Sequence, residues 1–464
     1  MMSVKPFIID FGTVTIRIGR VGDKLPSFIA PPFFGKPNLK RNETDVCDFS
    51  GGNGGNWLDY AIFPLNPKEK HDNSIPISAI TYDNGEYNLK HDITDKLLEC
   101  ATSSKGVDEL MEGGTVIATE PNLHTPQFRN TLADVLVECQ RVNKFYMCKR
   151  AALSCYASAR GSGIVVDVGG ACSNVSVVSE GFVIQETIKE EPIGGTIMNR
   201  ILLNYMSQIG TIIRPSFEYI KPVKTEDALK GKIQKTNDYV NSVGLRSLPY
   251  VRKAYYEYAQ LYAISRVKET CCSSGENLGV AMENTNSCFV LPDGTFLDTT
   301  VGKSLSGIFC RSLFNDANYL EDSKAFQSME SLHIIPSRNE HEMIPLGQFL
   351  NGLTGLDGLL AESYGAARQL VSSVCIPDAI KTVILSGGTT RHSAVLPLLE
   401  RRFANRMPDV ESPLFMSVGG DEQQYSSFIG ASILASFGMF ESLCITREDC
   451  QEHGLERILQ RKCP

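Results

Sequence analysis

Tryptophan is nearly absent from this 464-residue sequence, where Trp57 stands alone, and histidine is sparse at seven residues. No two histidines are spaced H-x-x-x-H, and the 14 cysteines form no C-x-x-C, only the adjacent pair Cys271 and Cys272. That scatter argues against a structural zinc site or a redox dithiol, and for buried free thiols in a reducing compartment. Positive charge is not in excess. Lysine and arginine number 45 against 53 aspartates and glutamates, a formal net charge of -8, which excludes a broad surface for nucleic-acid backbones and leaves only local or indirect contact. Long apolar runs are lacking as well. The longest uncharged one, Phe428 to Phe440, has 13 residues, short of a bilayer span, and Asp10 interrupts the start before a signal-peptide core can form. The expectation is a nuclear or cytoplasmic protein without a membrane partner. Short basic clusters at 36–41 (KPNLKR) and 401–406 (RRFANR) have the composition of import signals, although such runs are more often solvated charge.

The chain is 42% hydrophobic, enough at this length for two or more domains with sizeable cores. A repeated turn organises it. Ile164 to Gly181 (IVVDVGGACSNVSVVSEG) is a continuous apolar run into Asp167, a break at Gly169 and Gly170, and an alternating strand, the pattern of a hairpin. Pro6 to Asp23 (PFIIDFGTVTIRIGRVGD) repeats it, with Asp10-x-Gly12 matching Asp167-x-Gly169. Glycines at such a turn let backbone N–H groups approach an anion, and a carboxylate ending the first strand can hold a hydrated Mg²⁺ beside it. One copy is as well explained by ordinary sheet structure. Two copies suggest related halves facing each other across a cleft, with one phosphate chain and one Mg²⁺ between them.

Around these hairpins, residues 39–78 are polar and glycine-rich and read as a long mobile insertion carrying Trp57, and 315–345 reads as a second, polar insertion. Helices are expected over Ile93–Met111, Phe128–Val142, Lys149–Ala159, Thr196–Gln208 and, last in the chain, Tyr425–Phe440. Tyr255, Tyr258, Leu261 and Tyr262 fall at helical spacing as a buried stripe, and strand Thr382–Leu385 feeds the turn Ser386-Gly387-Gly388-Thr389-Thr390.

Four stretches taken together, Asp10–Asp23, Gly163–Gly195, Val383–Thr390 and Tyr425 to the terminus, resemble actin and its relatives. The resemblance implies an α/β, actin-like two-domain ATPase fold, with duplicated mixed sheets and helices around a nucleotide cleft. Residues 1–157 and 425–464 would form the outer domain with insertion 39–78. Residues 158–424 would form the inner domain, with subdomain 196–270 and insertion 315–345. Carried over residue by residue, it implies ATP and Mg²⁺ as ligands. Asp10, Gly12, Thr13, Val14 and Arg17 belong with the first phosphate loop, and Gly169, Gly170 and Ala171 with the second. Asp10 and Asp167 hold Mg²⁺ through water, Gly195, Gly387, Gly388 and Thr389 lie near the nucleoside, and Glu257 approaches the ribose.

The departures from actin are informative. Where actin orders its attacking water with a glutamine, an aspartate and a histidine, this chain has Arg150, Gly170 and Asn174, and Val14 stands where actin has a glycine against the phosphates. Phosphoryl transfer depends on positioning and electrostatics, so these losses imply ATP binding with little turnover and no catalytic residue to name. Asp10-x-Gly12-Thr13-x-Thr15-Ile16-Arg17, the Cys148-Lys149 pair, Pro192-Ile193-Gly194-Gly195, Arg214-Pro215 and the terminal Arg461-Lys462-Cys463-Pro464 resemble the nuclear actin-related protein 4 class. That resemblance implies a non-filament-forming subunit of chromatin-remodelling or histone-acetyltransferase complexes. Its partners would be actin and a long helix of a large remodeller or acetyltransferase subunit, with indirect histone or nucleosome contact. The alternative is a divergent cytoskeletal actin that polymerises and hydrolyses ATP.

Overall fold

The computed structural model describes residues 5–36, 75–83, 85–103, 111–220, 244–245, 253–272, 287–315, 333–334, 344–370 and 379–463. Two mixed sheets dominate, and they share one plan. In the first, Phe7–Phe11 turns back antiparallel onto Ile16–Arg20, which pairs with Phe28–Ala30. On its other side Phe7–Phe11 runs parallel to Thr115–Glu120, then Lys144–Lys149 follows, and Ile445–Thr446 closes the edge. In the second, Gly163–Val168 turns back onto Ser173–Ser179, and on its other side runs parallel to Thr382–Ser386 and then Leu414–Ser417. The short strands Phe182–Val183 and Lys189–Glu191 extend Ser173–Ser179.

Register repeats with topology. Asp10 lies opposite Arg17 and Asp167 opposite Asn174, each aspartate in the next-to-last place of its strand. Every residue of Phe7–Phe11 is buried, which suits a strand with parallel pairing on one side and helices on its faces. Two apolar cores follow. One joins the first sheet to helices His91–Ser103 and Pro126–Asp134 and to C-terminal residues from Phe428 to Cys463. The other joins the second sheet to helices Gly195–Gln208, Thr299–Phe314, Leu356–Gln369 and Val395–Arg406.

Helices Arg150–Ala157 and Ser426–Ala435 cross at backbone distance. A Cβ on Gly430 would lie 1.8 Å from the Leu153 carbonyl oxygen, so only glycine permits the approach. Beside the crossing, Ser386 at the end of its strand touches Ser154 at 3.0 Å and Ser426 at 2.7 Å, hydroxyl to hydroxyl.

Some element boundaries differ from the sequence expectation. The helix expected from Phe128 starts at Pro126, where Thr125 accepts from the Phe128 amide, and changes at Val135–Cys139 to a wider π turn that ends before Val142. The helix expected over Ile93–Met111 is His91–Ser103, and 104–110 lie outside the described residues. The last helix was expected to run to Phe440 but stops at Ala435, and Phe440–Leu443, Arg447–His453 and Leu455–Lys462 follow it. Tyr262 is 49% exposed and leaves the stripe begun by Tyr255. Within the 401–406 cluster, Arg402 and Arg406 both pair with buried Asp357, so that cluster is partly structural. Trp57 and most of both insertions lie outside the described residues. The cysteines whose side chains are described are free, and among the described residues no helix is long and apolar enough to cross a membrane.

Candidate functional site

The two hairpin turns line one cavity of about 210 Å³. The first is closed by the Gly12 amide donating to the Thr15 carbonyl at 3.0 Å, the second by the Gly169 amide donating to the Cys172 carbonyl, also at 3.0 Å. Among the described residues, the amides of Thr13, Val14, Gly170 and Ala171 donate no hydrogen bond, and all four residues line the cavity. Such a cluster of unspent N–H groups suits an anion. The start of helix Gly195–Gln208 behaves otherwise, because the amides of Gly195 and Thr196 donate to the carbonyls of Gly169 and Gly170 at 2.9 and 2.8 Å. Gly195 therefore lends the cavity surface rather than a free donor. Gly387 has φ +89°, and a Cβ there would fall 2.5 Å from Asp167 Oδ1, so its glycine lets the strand end close on the carboxylate.

Asp10 and Asp167 sit at the base of the cavity beside two guanidinium groups. Arg17 Nη1 donates to Asp10 Oδ2 at 2.6 Å, Thr119 Oγ1 donates to Asp10 Oδ1 at 2.8 Å, and Arg150 Nε lies 4.0 Å from Asp10 Oδ1. Burial alone would raise the Asp10 carboxyl, but the charges of Arg17 and Arg150 outweigh it and hold the group below its ordinary value. Asp167 goes the other way. Burial pushes its carboxyl up, and the neighbouring Asp10 charge adds to the effect that Arg150 and Arg17 only partly offset.

The three positions that depart from actin each have a local partner. Arg150 donates to the Phe11 carbonyl and lies 5.8 Å from the Tyr87 ring centre. Gly170 faces Val14, whose Cγ2 is 2.2 Å from where a Cβ on residue 170 would stand. The Gly170 backbone is outside the left-handed region, so it is the valine, with Thr13 Oγ1 at 3.0 Å, that leaves no room for a side chain. Asn174 is engaged at both its oxygen and its nitrogen. Its carbonyl oxygen accepts from Asn122 at 2.7 Å and its amide donates to Glu190 at 2.9 Å, while Tyr82 donates to the other Glu190 oxygen at 2.8 Å. Burial pushes Glu190 up, and with both oxygens engaged it is held as a structural carboxyl.

Toward the opposite end, Thr389 Oγ1 donates to the Gly169 carbonyl at 3.1 Å, and Lys268 Nζ to the Gly195 carbonyl at 3.1 Å. Gly388 lines the same wall. Every site residue named from the sequence thus lies on this one cavity, except Glu257. That residue is exposed and pairs with Lys253 at 3.6 Å, away from the cavity lining. Lys268 and Glu269, three turns further along the same helix, take its place, and Asn199, Arg391 and Gln424 join them, none of which sequence reasoning named. An adjacent Lys-Glu pair on a helix reads as solvated charge, so the sequence carries no local signal for this pair.

This duplicated plan, with paired Asp-x-Gly turns over a shared cavity, coincides with a match of residues 1–464 to the family described as Actin. The chain belongs to the actin family. Its curated relatives include proteins named Actin-related protein 4 from Arabidopsis thaliana, 26% identical over 80% of this chain and 77% of the relative, and from Oryza sativa subsp. indica, 25% identical over 100% and 99%. Actin-related protein 4 of Schizosaccharomyces pombe is 22% identical over 99% and 98%. The chain is thus an actin-related protein similar to those named Actin-related protein 4. The actin family binds nucleotide with a divalent metal. The unspent amides fit phosphate, and two adjacent carboxylates fit a hydrated Mg²⁺, which asks for one or two carboxylates plus phosphate oxygens rather than a cage of side chains. No group of three or more metal-capable side chains occurs among the described residues.

Proposed function

We propose that this actin-related protein binds ATP as a structural ligand, turns it over very slowly, does not form filaments, and serves in nuclear chromatin-remodelling or histone-acetyltransferase assemblies. The observation that carries the reading is the state of the water-ordering positions. Arg150 is a guanidinium, which donates only and cannot accept a proton from water, Gly170 has no side chain, and the Asn174 oxygen already accepts from Asn122, so these positions offer no uncommitted acceptor to orient an attacking water. Each tenfold loss of rate corresponds to about 1.4 kcal/mol of barrier, and three missing groups amount to several such steps. The four unspent amides would hold the phosphates. Asp167 would carry most of the hydrated Mg²⁺, since both Asp10 oxygens are engaged, and the metal would help to orient the phosphates.

Bound nucleotide would keep the two halves in one relative position, presenting a fixed surface to actin and to a long helix of the large subunit, with histone or nucleosome contact indirect. The reading draws its nuclear placement and its partners from the likeness to Actin-related protein 4 sequences. The test is to load the purified protein with MgATP, remove free nucleotide, and separate ATP from ADP after denaturation over several hours. Retained ATP with little ADP is expected. Steady conversion to ADP, or salt- and Mg-dependent pelleting of the pure protein, would instead favour a filament-forming ATPase.

A further inference from the structure

We infer that Arg150 and Arg17 supply the counter-charge for the phosphates, so that this cleft holds a nucleoside triphosphate almost as tightly without a divalent cation as with one. The inference rests on the nucleotide reading above and adds how the cleft balances charge. Arg150 is the first residue of helix Arg150–Ala157, where the helix dipole opposes a cation and no acidic residue in the first turn offsets it. The side chain is held there nonetheless, by the Phe11 carbonyl and over the Tyr87 ring. Its contact with Phe11 is the one hydrogen bond it makes among the described residues, out of five N–H donors. Arg17 spends Nη1 on Asp10, while its Nε is buried with no partner among the described residues. A buried donor left in this way is a cost that an incoming acceptor removes.

Charge arithmetic points the same way. Two guanidinium groups beside two carboxylates leave the base of the cavity formally neutral, so no excess negative field has to be cancelled by a metal before phosphates approach. A guanidinium also offers phosphate a planar pair of donors, which makes it a competent substitute for a metal in binding.

The test is calorimetric titration of ATP into the full chain in excess Mg²⁺ and in excess EDTA, for the wild type, Arg150→Gln and Arg150→Lys. The wild-type affinity is expected to differ by less than about threefold between the two conditions. Arg150→Gln is expected to bind about tenfold or more weakly in EDTA and to recover in Mg²⁺, in keeping with the loss of one charged hydrogen-bonding group. Arg150→Lys, which keeps the charge, should stay nearly metal-independent, and it carries the comparison if the glutamine variant does not fold. A wild type about a hundredfold weaker in EDTA overturns this inference and leaves the nucleotide reading standing. Arg150→Gln matching the wild type in EDTA overturns the assignment to Arg150. Absence of ATP binding in both conditions overturns the nucleotide reading and this inference with it.

Discussion

Replacing glycine by alanine inside a helix ordinarily gains about 1 kcal/mol, because alanine loses less backbone freedom on folding. Two helical glycines of this protein should respond with opposite sign. Gly365, in helix Leu356–Gln369, has nothing within 4 Å of the position its Cβ would take, so Gly365→Ala should realise the gain. Gly430, in helix Ser426–Ala435, would place its Cβ 1.8 Å from the Leu153 oxygen, 2.5 Å from the Leu153 carbonyl carbon and 2.9 Å from its Cα. All three are backbone atoms that cannot swing aside. A carbon and a carbonyl oxygen settle at about 3.3 Å, so the two helices would have to separate by about 1.5 Å. The upper range of overpacking, about 3 kcal/mol, then exceeds the propensity gain and leaves Gly430→Ala about 2 kcal/mol less stable than the wild type. Urea unfolding of the two variants beside the wild type, read by far-ultraviolet circular dichroism, measures both changes. A Gly430→Ala protein at least as stable as the wild type would refute the close crossing and the reasoning built on it.

The contact between Val14 and Gly170 predicts a coupling. Gly170→Ala should cost about 1 kcal/mol alone, at the low end of overpacking because Val14 is 46% exposed and can yield, and almost nothing in a Val14→Gly background. A double-mutant cycle in urea with a coupling below about 0.3 kcal/mol would contradict it. His392 predicts a pH response. Its ring stacks on Phe309, Nδ1 accepts from the Ala394 amide at 3.0 Å, and Nε2 contacts Ser306 Oγ at 2.8 Å, an arrangement suited to the neutral imidazole. Burial lowers its pKa to about 4, so between that value and about 6.5 the unfolded chain binds the extra proton. Stability should therefore fall as pH drops through this window, by up to about 3 kcal/mol, and His392→Gln should flatten that part of the profile. A wild-type and His392→Gln pair with parallel profiles from pH 7 to 4 would dispose of the idea.

The hairpins were legible because each couples a continuous apolar run to a turn that requires glycine, and both signals are local. The residues named from the two Asp-x-Gly turns and from the Ser386 turn all reached the same cavity for that reason. Lys268 and Glu269 were not legible. They lie on helix Lys253–Cys272, where exposed Tyr262 interrupts the stripe begun by buried Tyr255, so the pattern could not say which side meets the cleft. Helix Arg447–His453 buries none of its residues and is marked mainly by the capping box between Thr446 and Asp449, so a search for apolar periodicity passes over it. The role of Asn174 depended on Asn122, 52 positions away in sequence, and on Glu190 in another strand, and such contacts exist only once the sheets are assembled.

Val14 and Gly170 also constrain redesign. They share one volume, so side chains at both positions crowd the two turns. Any attempt to rebuild an ATPase on this scaffold therefore begins at position 14, which has to be emptied before a carboxylate at 170 finds room.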